Sequence, residues 1–273
     1  MIAIITSKSC PVGNNVKNNL LNLYNFTETE KFENNPIYTL KQNKNIKLYT
    51  INQIHIRAEN LHEKIKADLF IFVSTHRSEK QVNSLSVHSI GNWNKAELGG
   101  LNEKLVPVNS NYLKELFLDL EKNNNLDYET IIEATHHGPY NEKPCLFIEI
   151  GSSEKQWRDQ KAGEIIAKTI ISVLTRKVNQ YKSLIIFGGT HYNQLAVKVL
   201  KETEYSIGHI CPKHNIENLT EDSIKQAFEK TIPMPEFAII DWKSLNSEQR
   251  NNLIKKLDSL KIKWKRDKDL FSK

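Results

Sequence analysis

Nine histidines occur in the chain, and several of them follow short apolar runs. Val73-Ser74-Thr75-His76-Arg77-Ser78 leaves one such run, Ala134-Thr135-His136-His137-Gly138-Pro139 a second, and Phe187-Gly188-Gly189-Thr190-His191-Tyr192 a third. A fourth, Ile148-Glu149-Ile150-Gly151-Ser152-Ser153-Glu154, sets a carboxylate inside an otherwise apolar strand. Imidazole and carboxylate are ligands that zinc and related ions accept, and a catalytic site uses about three of them plus a water. A bound ion lowers the pKa of that water to about 7 and polarises a carbonyl oxygen, which is what ester hydrolysis at neutral pH requires. The candidate ligands are His88, His136, Glu149 and His191. His76, Glu133 and His137 are alternative ligands or the acid–base groups beside the ion. Glu149 stands apart from surface acids, because a buried carboxylate must be paired, hydrogen-bonded or metal-bound. A single histidine at a strand end is ordinarily a hydrogen-bonding loop residue, so the inference rests on the set. His55, His62, His209 and His214 have weaker cases.

Elements that could position these groups are legible in the apolar pattern. Ile2 to Ile5, Leu69 to Val73, Ile131 to Ala134, Leu146 to Ile150, Leu184 to Phe187 and Phe237 to Ile240 read as buried strands. Between them, Asn111 to Lys122 carries Leu113, Leu116, Phe117 and Leu120 at helical spacing. Trp157 to Leu174 carries a second amphipathic stripe. Alternation of this kind predicts an α/β fold, a mainly parallel sheet with helices on both faces. Ligands of open α/β sheets bind outside the carboxyl ends of the strands, so the four segments are expected on one side of the sheet. If the strand continues past Ala134, Glu133 and Thr135 face away from Ala134 and His136. His136 and His137 then share a site only if the chain turns, which Gly138-Pro139 allows.

Other motifs constrain less. Gly151-Ser152-Ser153-Glu154 is expected to cap and open the long helix, with an anion site on the free N–H groups as the alternative. Gly188-Gly189 matches neither a Walker loop nor a dinucleotide fingerprint; it marks a tight strand exit or a close backbone approach. No Gly-x-Ser-x-Gly elbow surrounds Ser74, Ser78 or Ser86, which speaks against a serine hydrolase.

The chain has 273 residues, read as a single α/β catalytic unit over 1–273 with a smaller lobe or insertion around 14–60, where Asn, Lys and Glu are abundant and periodicity is poor. Hydrophobic residues make up 39% and charged residues 26%, and no apolar run approaches the roughly 20 residues of a membrane span. Met1-Ile2-Ala3-Ile4-Ile5 is strand-like and unlike a secretory signal, so a cytoplasmic location is expected. The three cysteines, Cys10, Cys145 and Cys211, contain no CxxC pair, against a disulfide framework or a cysteine zinc finger; Cys145 reads as buried packing. The net charge of +6 is compatible with a polyanionic partner such as RNA. Near the C-terminus, Lys261 to Arg266 alternates charge with bulk, as an edge strand with Ile262 and Trp264 inward and lysines outward. That row is a solvated edge or a phosphate-contacting surface.

Several motifs coincide with those of a known family. Ser74-Thr75-His76-Arg77-Ser78, Ser86-Val87-His88 with Gly91-Asn92-Trp93, and Ala96-Glu97-Leu98-Gly99-Gly100 are among them. So are Glu133 to Pro139, Glu149 to Glu154 with Trp157, and Phe187 to Tyr192. Together they resemble the D-aminoacyl-tRNA deacylase family of archaea and plants, in order and approximate spacing, from about residue 68 to 212. Ile4-Ile5-Thr6-Ser7 is compatible; the Asn-rich segment near 14 to 50 and the basic tail are not matched. The resemblance implies hydrolysis of the ester joining a D-amino acid to the tRNA 3′ end, releasing both. It implies zinc dependence, aminoacyl-tRNA as partner, and a fold similar to the phosphorylase and peptidyl-tRNA hydrolase group. A monomer without membrane or obligate protein partner is expected. Two other readings stand beside it: a metal-free hydrolase or phosphorylase relative whose histidines are acid–base groups only, and a non-catalytic tRNA-binding module. Glu149 among so many imidazoles weighs against the last, since an inert core is built more stably from apolar residues.

Overall fold

A computed structural model describes residues 1–78 and 81–271. The first strands are β1 (Ile2–Ser7), β2 (Phe26–Phe32), β3 (Asn35–Leu40), β4 (Ile46–Ile51), β5 (Leu69–Thr75), β6 (Ser84–His88) and β7 (Val108–Asn109). There follow β8 (Glu129–Ile132), β9 (Cys145–Gly151), β10 (Lys182–Phe187), β11 (Tyr205–Cys211), β12 (Thr231–Ile232), β13 (Phe237–Ile240) and β14 (Trp264–Arg266). The helices are α1 (Pro11–Leu23), α2 (Leu61–Lys64), α3 (Ser110–Asn123), α4 (Glu154–Trp157) and α5 (Gln160–Leu174). After them come α6 (Gln194–Glu202), α7 (Glu221–Glu229), α8 (Ser247–Ser259) and α9 (Asp267–Phe271).

Two main sheets result. The larger has the order β2-β3-β4-β1-β5-β9-β6-β8 and the smaller β11-β10-β13-β14, while β7 and β12 pair separately. Pairing is parallel except for β2 with β3, β3 with β4, and β6 with β9. The class is therefore α/β with mostly parallel strands, as the apolar pattern predicts. Side chains alternate along each strand: on β5, Ile71 and Val73 pack with Val16, Leu20, Phe117 and Ile166 from α1, α3 and α5. On the opposite face Phe70 and Phe72 pack with Phe147 beneath Ala58, Leu61 and Ile65. A third cluster joins Ile185, Phe187 and Ile240 of the smaller sheet to Ile224, Leu253 and Leu257 of α7 and α8.

Most of residues 14–60 lies in α1 and in β2 to β4, which extend the larger sheet beyond β1. Its poor periodicity has a physical cause: β2 forms the sheet's edge, and its residues are almost all exposed. The stripe from Trp157 to Leu174 is not one helix. The Asn15 amide donates to the Trp157 and Asp159 carbonyls at 3.2 and 2.8 Å, occupying acceptors that a continuous helix would use itself. The Asp159 carboxylate then caps α5 through Lys161 N and Ala162 N, whereas Ser153 precedes only the short α4 and makes no side-chain capping bond. At the other end of the chain, β14 lies at the edge of the smaller sheet, with Ile262 and Trp264 half-buried and Lys261, Lys263 and Lys265 exposed. Residues 272 and 273, at the end of the basic tail, lie outside the described residues. All three cysteines are buried and free. Among the described residues no helix is long and apolar enough to cross a membrane.

Candidate active site

Strand direction decides where the chemistry gathers. β6 runs antiparallel to β9, and β8 runs parallel to β6, so the carboxyl ends of β6 and β8 point away from those of β5 and β9. The histidine segments do not meet above a common carboxyl edge, as the apolar pattern alone suggests. They meet on one face of the larger sheet, at its seam with the smaller. Ser74, Glu149 and Ser86 stand abreast on β5, β9 and β6, with Phe72, Phe147 and His88 as the neighbouring rank. Past Ile132 the chain leaves β8 and is held by the other sheet's connections: Ala134 N donates to His191 O at 2.8 Å and Thr135 N to Ile210 O at 3.0 Å. Glu133 forms an isolated bridge with Tyr192. The strand does not continue to Ala134, and the predicted opposition of Glu133 and His136 fails with it. At His137 φ is +45°, a left-handed turn that brings the His136 and His137 rings to 4.3 Å.

Glu133 lies at the centre. Its Oε2 is 2.9 Å from His191 Nε2, 3.1 Å from His76 Nδ1 and 3.7 Å from His136 Nε2. Glu149 Oε2 is 3.6 Å from His76 Nδ1 and 3.7 Å from His88 Nε2. Phe147 forms the floor, its ring centroid 4.8 Å from that of His137 and 5.4 Å from that of His88. Among the described residues three overlapping groups could hold a metal ion, with donor atoms within 4.8 Å of one another: His88, His136 and His137; Glu133, His136 and His191; His76, Glu133 and Glu149. These are the seven residues selected from the sequence, and Glu133 and His136 each belong to two groups. The quartet His88, His136, Glu149 and His191 is split among them.

Burial and charge set the protonation pattern. Glu133 and His88 are fully enclosed, while His136 and His191 keep 27% and 38% of their side-chain exposure and face outward. Burial works to raise both carboxyls, but hydrogen bonds from His191 and His76 hold Glu133 well below the usual range. The neighbouring His76 and His88 imidazoles lower Glu149 against the same effect of burial. Burial works against a charged His76, yet Glu133 and Glu149 outweigh it and push its pKa up to about 11; His88 is raised, against burial, by Glu149 and Glu133. His136 is pushed well down by burial and by His137 and His88, and His137 to about 4 by burial and His88. Ionised carboxylates and neutral imidazoles are the ligating forms, so Glu133, Glu149, His136 and His137 are held ready to ligate, whereas His76 and His88 must give up a proton to do so. Five enclosed atoms around the cluster, Ser84 Oγ, Ser86 Oγ, Ser152 Oγ, His88 Nε2 and Glu133 Oε1, make no hydrogen bond. Buried polar atoms are normally satisfied, so orphans beside one all-imidazole and two carboxylate-containing donor groups fit a divalent cation together with water.

Sequence reasoning missed some members. The Tyr192 hydroxyl lies 2.5 Å from His76 Nε2. Ser84 and Ser86 share the enclosed face of β6 with His88. Their signal was present, because Ser84-Leu85-Ser86-Val87-His88 alternates polar with apolar residues. Thr135 is structural: its hydroxyl meets Ser89 Oγ at 2.8 Å and accepts from Ile210 N at 3.0 Å.

An α/β protein with a buried histidine–carboxylate cluster at a sheet seam is thereby defined, and comparison with known proteins gives the family. A family model described as D-aminoacyl-tRNA deacylase matches residues 63–265. The D-aminoacyl-tRNA deacylase of Methanosarcina barkeri is 34% identical, the match covering 100% of this chain and 91% of that protein. That of Pyrococcus furiosus is 35% identical, over 92% of this chain and 94% of that protein. The crystal structure of a conserved protein of unknown function superposes with a TM-score of 0.90 at 27% identity, covering 99% of this chain and 96% of the other. The chain belongs to the D-aminoacyl-tRNA deacylase family.

Proposed function

We propose that this protein hydrolyses the ester of D-aminoacyl-tRNA, releasing D-amino acid and tRNA, with zinc as its metal. The convergence of His76, His88, Glu133, His136, His137, Glu149 and His191 on one seam carries the reading, beside the family membership. Zinc would be held by members of the three overlapping groups, with Glu133 and His136 common to two of them, and would supply Lewis acidity toward the ester carbonyl and a more acidic water. Glu133 orients the imidazoles of His76 and His191 through its Oε2. Water attacks the ester carbonyl, and His191, the most exposed imidazole of the cluster, takes a proton from that water and delivers one to the departing tRNA 3′-terminal oxygen as the ester C–O bond breaks. The Tyr192 hydroxyl at Nε2 and Glu133 at Nδ1 hold the His76 ring from both sides. Phe147 and Phe72 close the floor against bulk water. The protein works as a single catalytic unit, a monomer in the cytoplasm, and its net positive charge of +6 favours tRNA.

The test is incubation of purified protein with matched D- and L-tyrosyl-tRNA, before and after chelation, with elemental analysis of the metal. Hydrolysis of the D-ester alone, lost on chelation and regained with zinc, is expected. A full rate in metal-free protein would remove the metal from the reading. Salt-sensitive tRNA binding without turnover would leave only a binding module.

A further inference from the structure

Beside the cluster lies a cavity of about 320 Å³ whose wall includes His136 and His137. The rest of the wall comes from two segments outside the seven-residue set. One carries Trp93, Asn94 and Leu98; the other carries His214 and Asn215. We propose that this cavity receives the terminal adenosine of the tRNA, the base packing on Leu98 and the His214 ring with its edge hydrogen-bonded by Asn94 and Asn215. The proposal rests on the deacylase reading and deepens it by giving the site a nucleoside pocket.

Position comes first. Because His136 and His137 belong to both cluster and cavity, an occupant lies against the reacting ester. The second consideration is what substrates share. Esters of different D-amino acids vary in side chain, whereas every one of them ends in the same adenosine, so a shaped cavity suits the invariant part. The size agrees, since small-molecule sites span roughly 300–1,000 Å³, and this cavity is at the lower end, where one nucleoside fits. The chemistry agrees as well. Leu98 is 56% exposed, an apolar surface without cover, and His214 presents an exposed imidazole; bases extruded from a strand stack on such groups. The side-chain amides of Asn94 and Asn215 make no hydrogen bond among the described residues. An amide matches the adjacent donor and acceptor of an adenine edge. Trp93 is a fixed back wall, 2% exposed, its indole N–H bound to Ile210 O at 3.1 Å.

Calorimetry of the full chain with AMP, CMP and free D-tyrosine, together with steady-state deacylation of D-tyrosyl-tRNA by wild type, Leu98→Ala and His214→Ala, tests the proposal. Both substituted side chains are exposed, and the wild-type titrations need no variant. AMP is expected to bind and to compete with the tRNA, CMP about tenfold more weakly. Each variant should raise KM and weaken AMP about tenfold with little change in kcat. Equal binding of AMP and CMP overturns the proposal. So do variants that leave KM and AMP binding untouched, or that weaken D-tyrosine binding in place of AMP binding, which would give the cavity to the side chain. If AMP binds as expected while D-tyrosyl-tRNA is not hydrolysed, the deacylase reading falls and the adenosine site stands.

Discussion

Replacing Glu133 by glutamine keeps shape and removes one buried charge. Glu133 Oε2 is within 2.9 Å of His191 Nε2 and 3.1 Å of His76 Nδ1, and its Oε1 has no partner. A hydrogen bond to a charged group contributes about 1.5–3 kcal/mol, and a buried polar atom left unpaired costs about 1–3 kcal/mol. Glutamine's single oxygen takes the place of Oε2, so both imidazole bonds survive but without the carboxylate charge, each weakened by about 1–1.5 kcal/mol. Its NH2 then occupies the place of Oε1 and finds no acceptor. The sum agrees with the roughly 3–5 kcal/mol measured when one member of a buried ion pair is removed. For a chain of this size that is a fall in Tm of about 6–10 °C, read by calorimetry in excess chelator so that metal does not contribute. The same substitution removes a ligand from two of the three groups, so zinc content and D-tyrosyl-tRNA turnover should fall together. A Glu133→Gln protein that melts with wild type in chelator and retains zinc and rate would show that the cluster is not organised around this carboxylate.

Three further outcomes follow from the same geometry. Burial depresses His55 to about 4 and His209 to about 3, both fully enclosed, against about 6.5 in the unfolded chain. Below pH 6.5 the unfolded state takes up protons that the folded state refuses, so this stability is complete above 6.5 and declines as pH falls toward the folded values. Each should cost about 2 kcal/mol between pH 6.5 and 5, seen as a lower urea midpoint, and His55→Leu should shrink the difference; a midpoint that rises on acidification contradicts it. Ser86→Ala removes an unpaired enclosed hydroxyl, so the chelated protein should gain about 1 kcal/mol while turnover drops; unchanged turnover would separate Ser86 from the site. Gly163→Ala should destabilise by about 1–3 kcal/mol in denaturant titrations despite alanine's better helix propensity. Its Cβ would lie 2.2 Å from Asn15 Oδ1, and a stabilised variant would mean that α1 and α5 have room to separate.

The candidate ligands and acid–base groups that gather at the seam could be picked out in the sequence, because an imidazole or carboxylate at the end of an apolar run is a local anomaly. Leu69 to Val73 and Leu146 to Ile150 read as strands because burial on both faces demands continuous apolar residues. Strand direction could not be read. Ser84 to His88 alternates identically whichever way it runs, and only its antiparallel pairing with β9 moves the cluster from a carboxyl edge to a sheet face. The break before α5 was equally hidden, since it depends on Asn15, 142 positions from Trp157. Grouping of the candidate site residues was hidden for the same reason: His76 and Tyr192 are 116 positions apart, and Glu133 is central only because Ala134 and Thr135 are held by the smaller sheet. Local alternation and burial set the composition at each strand end, and residue order alone shows it. The tertiary structure alone decided which ends face one another, because pairing partners, direction and the turn at His137 are set by contacts that no local pattern encodes.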